Sequence, residues 1–345
     1  MNAGVITHWS AVSPYGTNTV DFTDGVRSGR PTVGDVDPGT WRTPVGHACL
    51  VPRFDLADSL GNKGIKSLDR VTGLTLVALR QLDPELWPER TSLVVGTTTG
   101  SAHSAMHITR GSLTAARPTH IDPARVPSAI MNFVAGQCAI RAGLKGPNTT
   151  IAGGRSAALL SLGYGARLLA SGRADVVLCA VAEEYSAERA WIEHRRWGSK
   201  ILGEGAVVFR LAATAQGAGV QLLGVVNRVW QDSVAGVLRS AVQDLLDRAG
   251  VRQVDVGVVS LAGFSPGGEE REVLGELFPG RPLAEQESTL GDSGAASAGF
   301  ALAAAVATAD AGGLALVVAV DPDGPLSVAL FQLDGPPAGG NPGTS

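Results

Sequence analysis

The sequence predicts an α/β protein whose sheets are covered by helices on both faces. Short, continuously apolar runs alternate with longer stretches of helical periodicity. The apolar runs lack the in–out alternation of a half-solvated strand. They read as strands buried on both faces, the mark of parallel-rich sheets. The succession of runs in residues 1–212 recurs, less clearly, in residues 213–334, which implies two duplicated halves.

Each element has its own warrant. Residues 1–7 combine small and β-branched side chains and read as a first strand. Over residues 68–81, Val71, Leu74, Leu76, Val77 and Leu79 fall mostly on one helical face. Residues 91–96 (TSLVVG) are a short apolar run closed by glycine, a buried strand. Residues 125–143 are expected to form one helix, with Pro127 tolerated in its first turn and Gly143 near its end. Residues 148–152 read as a strand, and residues 156–171 as a small-residue helix stopped by Gly172. Residues 175–181 (DVVLCAV) are a further buried strand, and residues 205–211 close the first half. The second half reads as strands at 220–226, 254–261, 314–320 and 327–333, with helices at 233–248, 269–278 and 295–309. Residues 335–345, rich in glycine and proline, are expected to be a disordered tail.

Bulk properties narrow the function classes. The chain has 345 residues, 44% of them hydrophobic, which suffices for a large buried core. A formal net charge of −4, with no evident cluster of basic residues, argues against a nucleic-acid or membrane partner. Cys49, Cys138 and Cys179 lack metal-ligand spacing, so a reduced cytoplasmic protein without metal or cofactor is expected. Cys138 and Cys179 read as small buried apolar groups. The N-terminus carries no signal-peptide pattern. Apolar runs such as residues 313–320 are too short to span a bilayer.

The motifs are more specific than the composition. In order along the chain stand Gly96-Thr97-Thr98-Thr99-Gly100, the V-P-S run opening at Val126, Gly146-Pro147, Ala174-Asp175, Val181-Ala182-Glu183-Glu184 and Leu202-Gly203-Glu204-Gly205-Ala206. This series resembles the β-ketoacyl-ACP synthases over nearly the whole chain. The resemblance implies the thiolase fold, two pseudo-duplicated halves in a five-layer αβαβα sandwich. It also implies a dimer joined through one strand, here Asn148, Thr149, Thr150, Ile151 and Ala152.

Active members of that family use a cysteine at the start of the buried helix, two histidines and a lysine. The resemblance places Arg155 at the cysteine, Ala262 and Asp292 at the histidines and Glu287 at the lysine. The histidines are His8, His47, His103, His107, His120 and His194, and the last lysine is Lys200. The C-terminal half therefore has no histidine or lysine to offer in any alignment. A guanidinium serves neither as nucleophile nor as base, and it carries the wrong sign for a helix N-terminus. Arg155 is therefore expected to form a structural ion pair with Glu183, Glu184, Glu287 or Asp292. Asp321-Pro322-Asp323-Gly324-Pro325, where active members carry a gating loop, reads as a plain turn. The loops after Tyr185 and Trp230 are short for the family.

Members of this kind without the cysteine resemble chain length factors, the non-catalytic halves of type II polyketide ketosynthase heterodimers. The resemblance implies a catalytic ketosynthase as partner and an acyl carrier protein that carries the growing chain. Tunnel-lining candidates are Ala105, Met106, Thr109, Ile130, Phe133 and Val134, with Phe133 as the bulky limiter. Aromatic-polyketide members carry glutamine at the cysteine position and are longer. Arg155 and the trimmed loops look more like the compact subunits of highly reducing, polyene-forming systems. Two other readings stand beside this one: a stand-alone acyltransferase using Ser156, with His103 and His107 on one helical face, and a structural thiolase-fold homodimer. Arg189, Arg195 and Arg196 are candidate contacts for an acidic carrier protein. Glu269, Glu270 and Glu272 read as a solvated helix start.

Overall fold

The computed structural model describes residues 4–214, 218–308, 312–334 and 338–339. The first half runs β1 (Val5–Val12), α1 (Arg70–Arg80), β2 (Thr91–Thr97), α2 (Phe133–Ala142), β3 (Asn148–Ala152), α3 (Ala157–Ala170), β4 (Val176–Glu183) and β5 (Gly205–Ala212). The second repeats that order as β6 (Val220–Val229), α4 (Ala235–Ala249), β7 (Val256–Gly263), α5 (Glu269–Leu277), β8 (Leu283–Glu285), α6 (Ser297–Thr308), β9 (Gly313–Val320) and β10 (Pro325–Leu333). The sheets correspond strand for strand, β3-β2-β4-β5-β1 and β8-β7-β9-β10-β6. In each, the first three strands are parallel and the last two join antiparallel. Val5 and Ile6 of β1 pair with Gln221 and Val220 of β6, stitching the sheets along one edge.

The period of two along each strand builds the layers. On β4, Val177, Cys179 and Val181 join the central core with α3 and α6, while Val176, Leu178, Ala180 and Ala182 face α1 and α2. On β9, Ala315, Val317 and Ala319 face the centre, and Leu316, Val318 and Val320 pack with α4 and α5. Helices α3 and α6 therefore lie between two sheets, which explains their small residues. A Cβ on Gly165 would stand 2.8 Å from Cys179 Sγ, and one on Gly299 2.6 Å from Val181. This is the five-layer thiolase fold.

Several expectations need correction. The helix expected over 125–143 is broken into 3-10 turns at Pro123–Arg125 and Pro127–Ala129, an extended Ile130, and then α2. Neither proline has an N–H to give, so only isolated turns form before Phe133. Strand β1 reaches Val12, beyond the expected 1–7, and residues 1–3 lie outside the described residues. Ser10 interrupts the apolar run in sequence, yet its hydroxyl is buried and donates to the Ala78 carbonyl at 2.7 Å. Helix Ala187–Trp197 was not expected, because its sequence is polar overall and the face it buries carries Arg189 and Glu193 beside Ala190. Of the tail, Ala338–Gly339 pairs parallel with His8 and Trp9, and the rest lies outside the described residues. Among the described residues, no helix is long and apolar enough to cross a membrane.

The L-G-E-G-A motif earns its place structurally. Glu204, fully buried, accepts the backbone N–H groups of Val51 at 2.9 Å and Tyr185 at 3.0 Å. It also takes Arg70 in a two-pronged pair at 2.6 and 2.5 Å. Substituting Glu204→Gln leaves Arg70 without its counter-charge. Chemical denaturation is expected to show a loss of about 3 kcal/mol, and a loss well under about 1 kcal/mol would contradict this role.

Candidate functional site

The two central helices begin at matching 3-10 turns, Gly154–Ser156 before α3 and Gly294–Ala296 before α6. Both leading glycines have positive φ, 52° and 51°. A Cβ at Gly154 would sit 2.0 Å from Asp321 Oδ2, and one at Gly294 2.5 Å from Glu183 Oε2, so glycine is required at both. The carboxylates cross between halves. Asp321, just past β9, accepts the Arg155 N–H at 2.8 Å, and Glu183, ending β4, accepts the Ala295 N–H at 3.2 Å. Each half thereby neutralises the positive end of the other half's central helix.

Arg155 breaks this symmetry. Its side chain is 3% exposed. Nε and Nη2 donate to Asp292 at 3.2 and 2.5 Å, and Nη2 also donates to Glu193 Oε2 at 3.1 Å. Nη1 lies 3.6 Å from Asp321 Oδ2. The guanidinium carbon is 4.9 Å from the Phe264 ring centroid, and Lys200 Nζ is 3.2 Å from the same centroid. Lys200 also reaches Glu287 at 3.4 Å and Asp292 at 3.8 Å. Burial opposes the charge on Arg155, but Asp292, Glu193 and Asp321 outweigh it and hold the guanidinium firmly protonated. Burial likewise opposes an ionised Asp292. Arg155, with Arg189 and Lys200 behind it, still holds that carboxyl well below the usual carboxylate range.

A second layer fixes the first. Arg189 is buried and donates to the carbonyls of Glu184, Gly203 and Asp292 at 3.0, 2.7 and 2.8 Å. It is thus part of the frame and cannot meet a carrier protein, whereas Arg195 and Arg196 are exposed. Thr98, in the glycine-rich turn, donates to Glu183. Glu184 accepts from Ser101 Oγ at 3.0 Å and His103 N at 3.1 Å, anchoring the start of helix Ala102–Thr114. Burial, reinforced by the charge of Asp69, pushes the Glu184 carboxyl up to about 8.

Of the four carboxylates expected beside Arg155, only Asp292 pairs with it directly. Glu183 serves a helix terminus, Glu184 faces another helix, and Glu287 connects through Lys200. Glu193 and Asp321 complete the cluster and were not anticipated. The 321–325 segment is no plain turn, since its first residue holds both the backbone and the side chain of Arg155. Ala262 and Glu287 line a cavity of about 10 Å³, room for about one water. Ser156 is fully buried, and its hydroxyl donates to the Ala319 carbonyl at 3.3 Å. His103 is far from it in role, paired with Glu188 at 3.1 Å on the surface, with the His107 ring 6.2 Å away. The geometry offers Ser156 neither access nor a base. Glu270 is buried and accepts the Ser265 N–H at 3.2 Å, so that helix start is not wholly solvated. Among the described residues, no group of three His, Cys, Asp or Glu side chains is placed to hold a metal ion.

The remaining predicted positions lie at one end of the first half. β3 is the edge strand of its sheet and is hydrogen-bonded to β2 alone. Met106, Thr109 and Ile130 are exposed, while Ala105 and Phe133 are half-buried. Val134 belongs to the buried core around α1 and α2, so it does not face any lumen outside this chain.

Residues 3–205 match the family model of the β-ketoacyl synthase N-terminal domain. The chain belongs to the β-ketoacyl synthase family. The solved structure of the ishigamide ketosynthase/chain length factor superposes on this chain with a TM-score of 0.90. The two are 40% identical, over 96% of this chain and 99% of that chain. The 3-oxoacyl-[acyl-carrier-protein] synthase 2 of Vibrio harveyi is 28% identical over 321 residues, 79% of this chain and 75% of the relative. The tetracenomycin polyketide synthase ketoacyl synthase alpha subunit of Streptomyces glaucescens is 30% identical over 199 residues, 52% of this chain and 45% of the relative.

Two outcomes follow from the charges. Arg155→Met strands Asp292 and Asp321 as buried anions, and the expected loss at neutral pH is about 3–5 kcal/mol. Asp292 has a depressed folded-state pKa. Its pairing energy is fully present above the ordinary value of 3.8 and fades as pH falls below it, so the gap between variant and parent narrows in acid. Denaturation curves at pH 7 and about pH 2.5 test both statements. Glu184 behaves oppositely. Its folded-state pKa is raised from 4.5 to about 8, so the native state keeps a proton that the unfolded chain releases, and stability falls as pH rises across that window. Glu184→Gln should remove this slope and be the more stable form above pH 8, by up to about 5 kcal/mol.

Proposed function

We propose that this chain is the non-catalytic chain length factor of a type II polyketide ketosynthase heterodimer. It pairs with a catalytic ketosynthase, completes and caps that subunit's acyl tunnel, and limits how far the chain on its acyl carrier protein grows. The observation that carries this reading is Arg155, locked by Asp292, Glu193 and Asp321 where a ketosynthase of this family presents its thiol. A sealed, permanently charged site leaves no nucleophile and no room for an acyl chain. Ala262, Glu287 and Asp292 supply no histidine or lysine there.

The near-complete mutual coverage with the ishigamide chain supports a compact subunit of this class, since the longer 3-oxoacyl synthase extends beyond the matched region. The open edge of β3, from Asn148 to Ala152, supports pairing through sheet extension. We place Ala105, Met106, Thr109, Ile130 and Phe133 along the partner's tunnel, and the complex in the cytoplasm.

The test is co-expression with the cognate ketosynthase. A 1:1 complex is expected, and its absence overturns the reading. Within that complex, Phe133→Ala should shift the product distribution toward longer chains, read by mass spectrometry of the extracted products. An unchanged distribution removes Phe133 from the tunnel.

A further inference from the structure

The basic residues form no run in the sequence, but one segment holds several of them with few acids between. Residues 102–147 carry Arg110, Arg117, Arg125, Arg141 and Lys145 against a single acid, Asp122, in a chain of net charge −4. All five cations are exposed. His103, His107 and His120 lie in the same segment. The acids that approach these cations are few. Glu188 is 3.6 Å from Arg110, Asp122 3.6 Å from Arg125, and Glu89 3.7 Å from Lys145. Arg141 donates to the Gly64 carbonyl, between Lys63 and Lys66. Arg117 has no acidic partner among the described residues.

The same segment holds much of the exposed apolar surface. Leu113 is 80% exposed, Ile140 75%, Ile130 55% and Met131 41%. Helix Ala102–Thr114 packs on the turn Pro127–Ala129, and α2 packs on β3. Apolar area and excess positive charge therefore flank the unpaired edge strand β3, with Lys145 beside the start of β2 and Arg110 beyond the far end of β4.

An edge strand is indiscriminate by itself, because its backbone pairs with any other edge, including that of a second copy. Self-pairing would set this cationic face against itself. Like charges across an interface cost several kcal/mol and suppress the wrong partner. We propose that the 102–147 face is a charge key: it selects a ketosynthase subunit whose matching face is acidic, and it prevents this chain from pairing with itself. This rests on the heterodimer reading above and adds the rule by which the partner is chosen.

The test needs this chain and a charge-reversed form, Arg117→Glu/Arg125→Glu/Lys145→Glu, at about 20 mM salt, where screening is weak. Sedimentation of each alone should give no dimer. An equal mixture should give a 1:1 pair that weakens at least about tenfold at about 0.5 M salt. A dimer of the unmodified chain as tight as the mixture, or a mixture that stays monomeric, overturns the proposal. Arg117→Glu alone, at an exposed site without an acidic partner, should move the mixture in the same direction by a smaller step. If the triple variant loses its native circular dichroism, this single variant decides the matter. In the second arm, the cognate ketosynthase should bind the triple variant at least about tenfold more weakly than the parent. Equal binding of both overturns the charge key and leaves the heterodimer reading standing. Binding of neither overturns the heterodimer reading, and the key with it.

Discussion

The centre of this molecule is held by an exchange of carboxylates between its halves. Asp321 comes from the end of β9 and satisfies the start of α3, while Glu183 comes from the end of β4 and satisfies the start of α6. Two helix N-termini meeting in a buried junction would otherwise leave unpaired N–H groups and two positive dipole ends face to face. The glycines at 154 and 294 exist to let the carboxylates in. Everything else at the junction is built on that exchange, including the placement of Arg155 on one side and the neutral Ala295 on the other.

In a condensing enzyme the same positive field favours a thiolate. Here a third positive contribution is added in the form of a guanidinium, and the junction answers with more negative charge. Asp292 and Glu193 close on Arg155, and Lys200 and Arg189 balance the surplus. The result is a dense, internally neutralised network with no open position. The junction is a fastening between the halves.

How much of this the sequence reveals depends on the range of the interaction. Buried strands are local features, and β2 and β4 fall close to where their apolar runs place them. The duplicated order of elements is likewise legible. The broken segment before α2 was not, because a single proline in a first turn is compatible with a helix, and only Pro123 and Pro127 together with the extended Ile130 exclude it. The site was half legible. Arg155 and Asp292 stand at motif positions, so their pairing follows from resemblance. Glu193 sits in a polar helix that looks solvated, and Asp321 looks like an ordinary turn residue. Their roles are set by tertiary proximity across 38 and 166 residues of chain, and no local pattern announces that.

The Arg155 network also constrains the history open to this chain. A single Arg155→Cys change would remove one cation and leave Asp292, Asp321 and Glu193 buried with too little positive charge near them. That intermediate is less stable than either the sealed state or a fully restored one, because the members of such a network do not contribute additively. Several coordinated replacements, a histidine at 262 or 292 among them, would be needed before any catalytic benefit returned. The ion pair thus acts as a ratchet: with it in place, no single substitution opens the site without a loss of stability, and change is left to the surfaces that face a partner.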